Sequence, residues 1–491
     1  MALIVNDTAH YALFILFASA VGLVAVLANR LTERVKIPVA LLVLVGAAVA
    51  VNAQPALHAP STQTVQRVIT LALVLVLFDG GMHIGRSRFR SAIVPILSIG
   101  VVGTFLTAAG GALALHYACG ISWYLAVLVA TAVAPTDPAV VFSVLGKRQI
   151  AGRSGTILEG ESGANDPVGI SLMISLLAAG GLSVAGFASV GTEFALQMVI
   201  GAIVGVIGGR ALLLFIRRVP LPSEGLYPLR TLACILMLYG VATLAHGSGF
   251  LAVFVAGIVI GDARAPFQPE VKRFHAALAG LAEIVAFAIL GLTVDLHVLA
   301  HPDVWIPGVA LAIALTVVIR PLAVGACLIP VRLQRNERVF ILLAGLKGAV
   351  PILLGEFLRA AHVPDAERLY GIVVIVVAFS VLVQGSSVPG IARLLRLPMR
   401  TVAPEPWAIG VRLRDEPHGV HRLTVASGSA ADGWTIEDLG DHAGDIWVSM
   451  VVRTSGLVPV RADTELHAGD EVVILADPEL RDTLTALFVR S

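Results

Sequence analysis

The stretch Leu158-Glu-Gly-Glu-Ser-Gly-Ala-Asn-Asp-Pro-Val168 places acids and an amide inside what otherwise reads as a membrane-spanning helix. On a helix, Glu161 and Asn165 fall four apart on one stripe, and Ser162 and Asp166 fall four apart on the neighbouring one. Pro167 has no N–H, so the carbonyl of Gly163 is freed for a cation, a water or a side chain. A charge held at this depth costs roughly 2.5–3.5 kcal/mol, which makes an intramembrane carboxylate functional by default. Asp166 is therefore the leading candidate for a binding group. An Asn-Asp-Pro sequence at a helix end would mark only a turn. The apolar run Ile170 to Leu177 argues instead for a helix that passes through it.

The chain is 57% hydrophobic and 14% charged, with a mean hydropathy of +0.89. These values imply a polytopic membrane protein, all-α in its membrane part. The net charge of +1 names no partner, and nothing in the pattern suggests nucleic acid. Cys119, Cys234 and Cys327 sit in or beside apolar segments without metal-ligand or redox spacing, and read as small hydrophobes. Apolar runs of near-spanning length recur from Tyr11 to Leu395, about thirteen in all. They centre near Val21, Leu44, Val74, Gly103, Ala132, Ile170, Ile203, Leu236, Val255, Phe287, Ile313, Gly345 and Val377. The first has no basic region before it and is too long for a signal peptide, so it reads as a retained helix.

Cations collect in alternate loops: Arg30, Arg34 and Lys36, then Arg86, Arg88 and Arg90, then Lys147, Arg148 and Arg153. Arg217 and Arg218, Arg264, Lys272 and Arg273, Arg332, Arg335 and Arg338, and Arg393, Arg396 and Arg400 continue the series, with Arg359 and Arg368 the main exceptions. The loops around Gln54, His116, Ser183, His246 and His301 carry few. The positive-inside rule then puts the N-terminus outside and the C-terminus in the cytoplasm, in a multi-pass protein of the cytoplasmic membrane.

Two runs are interrupted. The fifth reads Thr131-Ala-Val-Ala-Pro-Thr-Asp-Pro138, and the twelfth Gly345-Leu-Lys-Gly-Ala-Val-Pro351. Their prolines free the carbonyls of Thr131, Ala134 and Lys347, and the glycines loosen the second helix. With the seventh run as a linker, these are the fifth members of two inverted six-helix repeats, the arrangement that marks a transporter's midplane site where broken helices cross. Asp137 and Lys347 are placed to neutralise the half-helix dipole ends at that crossing. Prolines that merely kink packed helices are the competing reading. Arg320 is the deep arginine of the second half and needs an anion; Glu161 is its expected partner in a structural ion pair. Asp79, in Leu77-Phe-Asp-Gly-Gly81, reads equally as a supporting carboxylate of the site or as an interfacial turn acid beside two glycines.

Composition changes at Thr401 to Pro406, so the expected domains are 1–398 in the membrane and 399–491 as a small α+β cytoplasmic domain. Asp445 to Val452 and Glu471 to Leu475 read as strands, Ser455-Gly456 as a turn, and Pro478 to Phe488 as a helix through Leu480, Leu484 and Leu487. A core this small gains from pairing with its copy in a dimer. It holds no Gly-x-Gly-x-x-Gly after a strand.

Three motifs, Ala134-Pro-Thr-Asp-Pro138, Glu161-Ser-Gly-Ala-Asn-Asp166 and Gly345-Leu-Lys-Gly-Ala-Val-Pro351, resemble in order and spacing the cation/proton antiporters related to sodium/proton exchangers, of NhaP type. The resemblance covers about residues 10 to 395. It implies a homodimer of thirteen-helix protomers, each with a dimer-forming domain and a moving core domain. It also implies that Asp166 binds cation and proton in turn, with Ser162 and Thr136 helping to coordinate the monovalent cation. Asn165 stands where electrogenic relatives carry a second aspartate, which implies electroneutral exchange. The third-helix acid of the family is commonly glutamate, matched here by Asp79, and Lys347 replaces a common arginine. The tail resembles the C-terminal lobe of regulator-of-potassium-conductance domains on Ala468-Gly-Asp-Glu-Val-Val-Ile-Leu-Ala476. That likeness implies the potassium/proton branch, a regulatory role, no cofactor, and a nucleotide, such as a cyclic dinucleotide, as the ligand class for a dimer cleft.

The expected function is thus exchange of a monovalent cation, potassium before sodium, for a proton, by alternating access with both competing for Asp166. A ligand-gated cation channel is one alternative, although no Thr-Val-Gly-Tyr-Gly filter occurs. A sensor that no longer transports is the other. No constellation of nucleophile, base and orienting group suggests an enzyme.

Overall fold

The computed structural model of this protein describes residues 22–23, 39–53, 60–138, 141, 145, 148–150, 153–181, 183–397, 399–401, 419–444, 446–453 and 456–489. The run near Val21, the cations Arg30, Arg34, Lys36 and Lys147, the loop at Gln54, the stretch 402–406, Asp445 and Ser455 lie outside the described residues. The chain forms two compact units, Met1–Val402 and Ala403–Ser491.

In the first unit, helices α1 (Val39–Ala53), α2 (Thr62–Ser91), α3 (Ile93–Cys119) and α4 (Trp123–Ala132) precede a short strand β1 (Arg148–Ile150). There follow α5 (Arg153–Ala179), α6 (Val184–Arg218), α7 (Leu226–Leu244), α8 (Gly249–Gly261) and α9 (Gln268–Leu292). The membrane part closes with α10 (Pro302–Leu328), α11 (Arg335–Leu343), α12 (Ala349–Ala360), α13 (Ala366–Leu394) and strand β2 (Met399–Thr401), which pairs antiparallel with β1. Seven described helices are long and apolar enough to cross a bilayer, and α1, α4 and α8 are shorter apolar helices. Each expected run from Leu44 onward falls on one of these helices, on the more polar α5 (the run near Ile170), or on the broken pair α11 and α12. This is a multi-pass membrane protein, whose helices satisfy their own backbone groups as the bilayer requires.

The helices pack as two bundles. In one, α2 and α8 form the centre against α1, α6, α7 and α9; in the other, α3, α4, α5, α10, α11, α12 and α13 pack together. The order of long helix, broken helix, long helix occurs twice in the second bundle, as α3–α4–α5 and as α10–α11/α12–α13. The first triplet starts beside the arginines at residues 86–90, which follow the break in α2 at Gly85, and the second at the opposite ends, so the two are inverted. Three of the long helices contain a π-helical turn, at Ser98–Gly103, Leu315–Ile319 and Ser380–Gly385.

Asp79 lies within α2, ahead of Gly85, whose φ of +63° breaks the helix. A Cβ on Gly81 would stand 2.4 Å from the Phe254 carbonyl of α8, so this glycine permits close helix packing.

The second unit is α+β. Strands β3 (Val420–Thr424), β4 (Ile446–Arg453), β5 (Gly456–Val458) and β6 (Glu471–Ala476) form an antiparallel sheet in the order β3-β6-β4-β5. Helices α14 (Ile436–Ala443) and α15 (Arg481–Phe488) bury Leu439, Leu484 and Phe488 against Val448, Val451, Val472 and Ile474. Thr435 and Asp438 start α14 with a reciprocal capping box.

Candidate functional site

Helix α4 stops at Ala132 because Pro135 and Pro138 cannot donate the next backbone bonds, and the chain has no regular structure through Pro135, Thr136 and Asp137. In the second repeat, α11 ends at Leu343 and α12 begins at Ala349, with Gly345 to Gly348 unwound between them. The two unwound segments touch: the Asp137 N–H donates to the Leu346 carbonyl at 2.8 Å. Lys347 Nζ, which is buried, donates to the carbonyls of Ala134 and Pro135 at 2.9 and 3.1 Å. A cation thereby meets the negative end of α4. Asp137 lies against Gly348, the residue that opens α12; a Cβ there would stand 1.9 Å from Asp137 Oδ2, so only glycine leaves room for the carboxylate.

Arg320 serves the remaining half-helix. It donates from Nε and Nη2 to the carbonyls of Leu342 and Ile341, the last turn of α11, at 3.2 and 3.1 Å. The same guanidinium grips Glu161 in a bidentate pair, Nη1 to Oε1 at 2.7 Å and Nη2 to Oε2 at 3.0 Å, with both side chains buried.

Around this frame the structure gathers the polar face of α5. Asn165 Nδ2 donates to Thr136 Oγ1 at 2.8 Å and its Oδ1 accepts from the Thr136 N–H at 3.3 Å, so both ends of the amide serve one residue. Thr136 Oγ1 in turn donates to Glu161 Oε1 at 3.4 Å. Asp166 is buried beside Ser162, with Asp137 and Lys347 as its charged neighbours. A carboxylate, the hydroxyls of Ser162 and Thr136, and backbone carbonyls are hard oxygen donors, the chemistry that suits a weakly polarising cation. Asp79 stands apart from this group, paired with His83 one turn along α2 at 3.2 Å.

Sequence reasoning missed Ser380, Gln384 and Thr316. The Lys347 N–H donates to Ser380 Oγ at 3.0 Å, and Gln384 Nε2 donates to the Leu343 carbonyl at 2.8 Å. With Thr316, Arg320, Gly345 and Lys347 they line a small cavity of about 10 Å³, room for about one water. The available signal was Ser380 and Gln384 four apart in an apolar run. Ser380 also begins a π-helical turn, and Arg320 directly follows another, a deviation that often marks functional sites.

The family model of the sodium/hydrogen exchanger transmembrane domain matches residues 18–394. The chain belongs to the sodium/hydrogen exchanger family. This exchanger is 35% identical over 389 residues to the K(+)/H(+) antiporter NhaP of Alkalimonas amylolytica, covering 78% of the present chain and 67% of that one. It is 30% identical over 490 residues to the K(+)/H(+) antiporter NhaP2 of Shewanella oneidensis, covering 97% and 83%. The solved sodium proton antiporter MjNhaP1 from Methanocaldococcus jannaschii shares the fold, with a TM-score of 0.66 at 21% identity over 78% of this chain and 99% of that one. Residues 420–489 match the TrkA-C domain model. The exchanger is a cation/proton antiporter by family, and not an enzyme.

Proposed function

We propose that this exchanger moves potassium, with sodium as the alternative cation, against protons across the cytoplasmic membrane, with the cation and the proton competing for Asp166. The observation that carries this reading is a single carboxylate, Asp166, buried against the crossing while its charged neighbours are otherwise engaged: Lys347 on the end of α4 and Asp137 beside Gly348 at the start of α12. An empty charged site is costly to move through the bilayer, so the bundle crosses only with cation or proton bound, and that requirement makes the process an exchange. Asn165 carries no charge and its amide is spent on Thr136, which supports an electroneutral cycle of one cation for one proton. The preference for potassium rests on the relatives named as K(+)/H(+) antiporters. The arginine-rich loops are taken as cytoplasmic, with the N-terminus outside, and access alternates as the second bundle moves against the first.

The tail regulates this cycle as part of a homodimer. Its sheet presents Trp447 (71% exposed) opposite Leu475 (43% exposed) in register, an apolar pair suited to a second copy. A nucleotide remains the candidate regulatory ligand of that dimer.

Purified protein in vesicles with an internal pH dye and a clamped potential tests the reading. Potassium is expected to dissipate an imposed pH gradient without charge compensation, and Asp166→Asn to abolish this at unchanged abundance. Full exchange in Asp166→Asn would sink the mechanism.

A further inference from the structure

The second broken helix leaves backbone groups at both ends of its break without helical partners, and a buried polar group must find one elsewhere. On the α11 side the last four carbonyls, Phe340 to Leu343, are all taken. Phe340 accepts from the Ala344 N–H at 2.8 Å, Ile341 and Leu342 accept from Arg320 at 3.1 and 3.2 Å, and Leu343 accepts from Gln384 Nε2 at 2.8 Å. On the α12 side the Lys347 N–H donates to Ser380 Oγ at 3.0 Å. Two buried side chains of α13 thus span the break from Leu343 to Lys347.

The two side chains are joined in one direction. Ser380 Oγ accepts the Lys347 N–H and gives its own single proton to Gln384 Oε1 at 3.0 Å. Thr316 Oγ1 lies 3.4 Å from the same Oε1 but spends its proton on the Ala312 carbonyl at 2.8 Å. The amide of Gln384 is thereby oriented, with Nε2 left to face Leu343. A serine within a membrane helix often bonds the carbonyl four residues back. Ser380, at the start of a π-helical turn, bonds forward to Gln384 instead. The segment held in this way is the one that touches the first break. Leu346 accepts from the Asp137 N–H at 2.8 Å, and Lys347 Nζ donates to the Ala134 and Pro135 carbonyls at 2.9 and 3.1 Å. Thr136 stands between Pro135 and Asp137, so its place depends on both.

We propose that Ser380 and Gln384 are positioning residues for the transported cation: they fix the span of the second break and, through Leu346 and Lys347, the place of Thr136 beside Asp166. This rests on the reading of Thr136 as a ligand of that cation. When either bond is lost the span from Leu343 to Lys347 loosens, and Thr136 loosens with it. A ligand that must be ordered each time the cation arrives binds it more weakly. The charge that bars the empty site from crossing stays on Asp166, so the rate at saturating cation is retained.

Exchange by the full-length protein in vesicles, followed against potassium concentration, separates positioning from a general loss of fold. Ser380→Ala leaves the Lys347 N–H unpaired, and Gln384→Leu the Leu343 carbonyl. Each is expected to raise the KM for potassium about tenfold, the worth of one buried hydrogen bond left unmade. The maximal rate per folded protein is expected to stay within about twofold, the pattern of a lost binding contact. Hydrogen–deuterium exchange of the same proteins reads the hold without transport. Amides of residues 343–348 and of residues 133–138 are both expected to exchange about tenfold faster in the variants, because both breaks open more often. An unchanged KM, or faster amide exchange confined to residues 343–348, would overturn the proposal. Should one variant fail to fold, the other decides; should the wild type not exchange potassium at all, the antiport reading fails and the amide exchange still decides this one.

Discussion

Arg320 holds Glu161 and the last turn of α11 with one guanidinium, and Thr136 and Asn165 extend that hold to the residues beside Asp166. Removing the arginine strands Glu161 as a buried uncompensated charge, which costs about 3–5 kcal/mol. Arg320→Ala is therefore expected to lower the thermal midpoint of the purified protein sharply. Glu161→Gln in the same chain should recover part of the loss, with the rest belonging to the uncapped carbonyls of α11. A double variant no more stable than Arg320→Ala would show that the ion pair is not what was lost. This pair was legible in the sequence because a deep arginine needs an anion and few were available. Ser380 and Gln384 were not, since a hydroxyl and an amide in a membrane helix cost too little to stand out, and only the crossing gives them partners.

The broken helices were legible for the same kind of reason: Pro135, Pro138 and Pro351 cannot continue a backbone ladder, whatever surrounds them. The π-helical turns were not read from the sequence, although Pro321, which cannot donate to the Val317 carbonyl, follows Arg320 just past the turn that ends at Ile319. Asp79 stayed open between a supporting carboxylate and a turn acid because two glycines beside it fit either, and Gly81 is a close contact between α2 and α8. At the crossing itself, Gly348→Ala tests whether Asp137 must sit at the start of α12. The new Cβ would stand 1.9 Å from Asp137 Oδ2, and overpacking of this sort costs about 1–3 kcal/mol. Exchange in vesicles is expected to fall by about tenfold or more, the rate equivalent of that cost, with abundance in the membrane little changed. Wild-type exchange in Gly348→Ala would mean that the position of Asp137 is immaterial.

At the scale of the whole chain, the membrane unit is joined to a tail held together by a different ion pair. Asp470 is buried between β4 and the turn before β6, gripped by Arg453 through two bonds of 2.9 and 2.8 Å and by the His467 N–H at 2.9 Å. The Arg453 bonds, with the His467 N–H behind them, hold its carboxyl below the usual value of 3.8. A carboxyl whose folded value is depressed contributes stability that is present above the unfolded value and is lost as the pH falls through the folded one. Hydrogen bonds to charged groups are worth about 1.5–3 kcal/mol, and the lower end applies because the Arg453 side chain is 37% exposed and partly screened. Limited proteolysis of the full-length protein should therefore find the tail resistant at neutral pH and increasingly cleaved as the pH drops below 3.8. Asp470→Asn should be cleaved faster at neutral pH and lose that added acid sensitivity. If Asp470→Asn matches the wild type at neutral pH, the pair contributes nothing to the tail. If it is cleaved faster while potassium-driven exchange is unchanged, the tail's fold does not limit the membrane unit, and a change in both ties regulation to this ion pair.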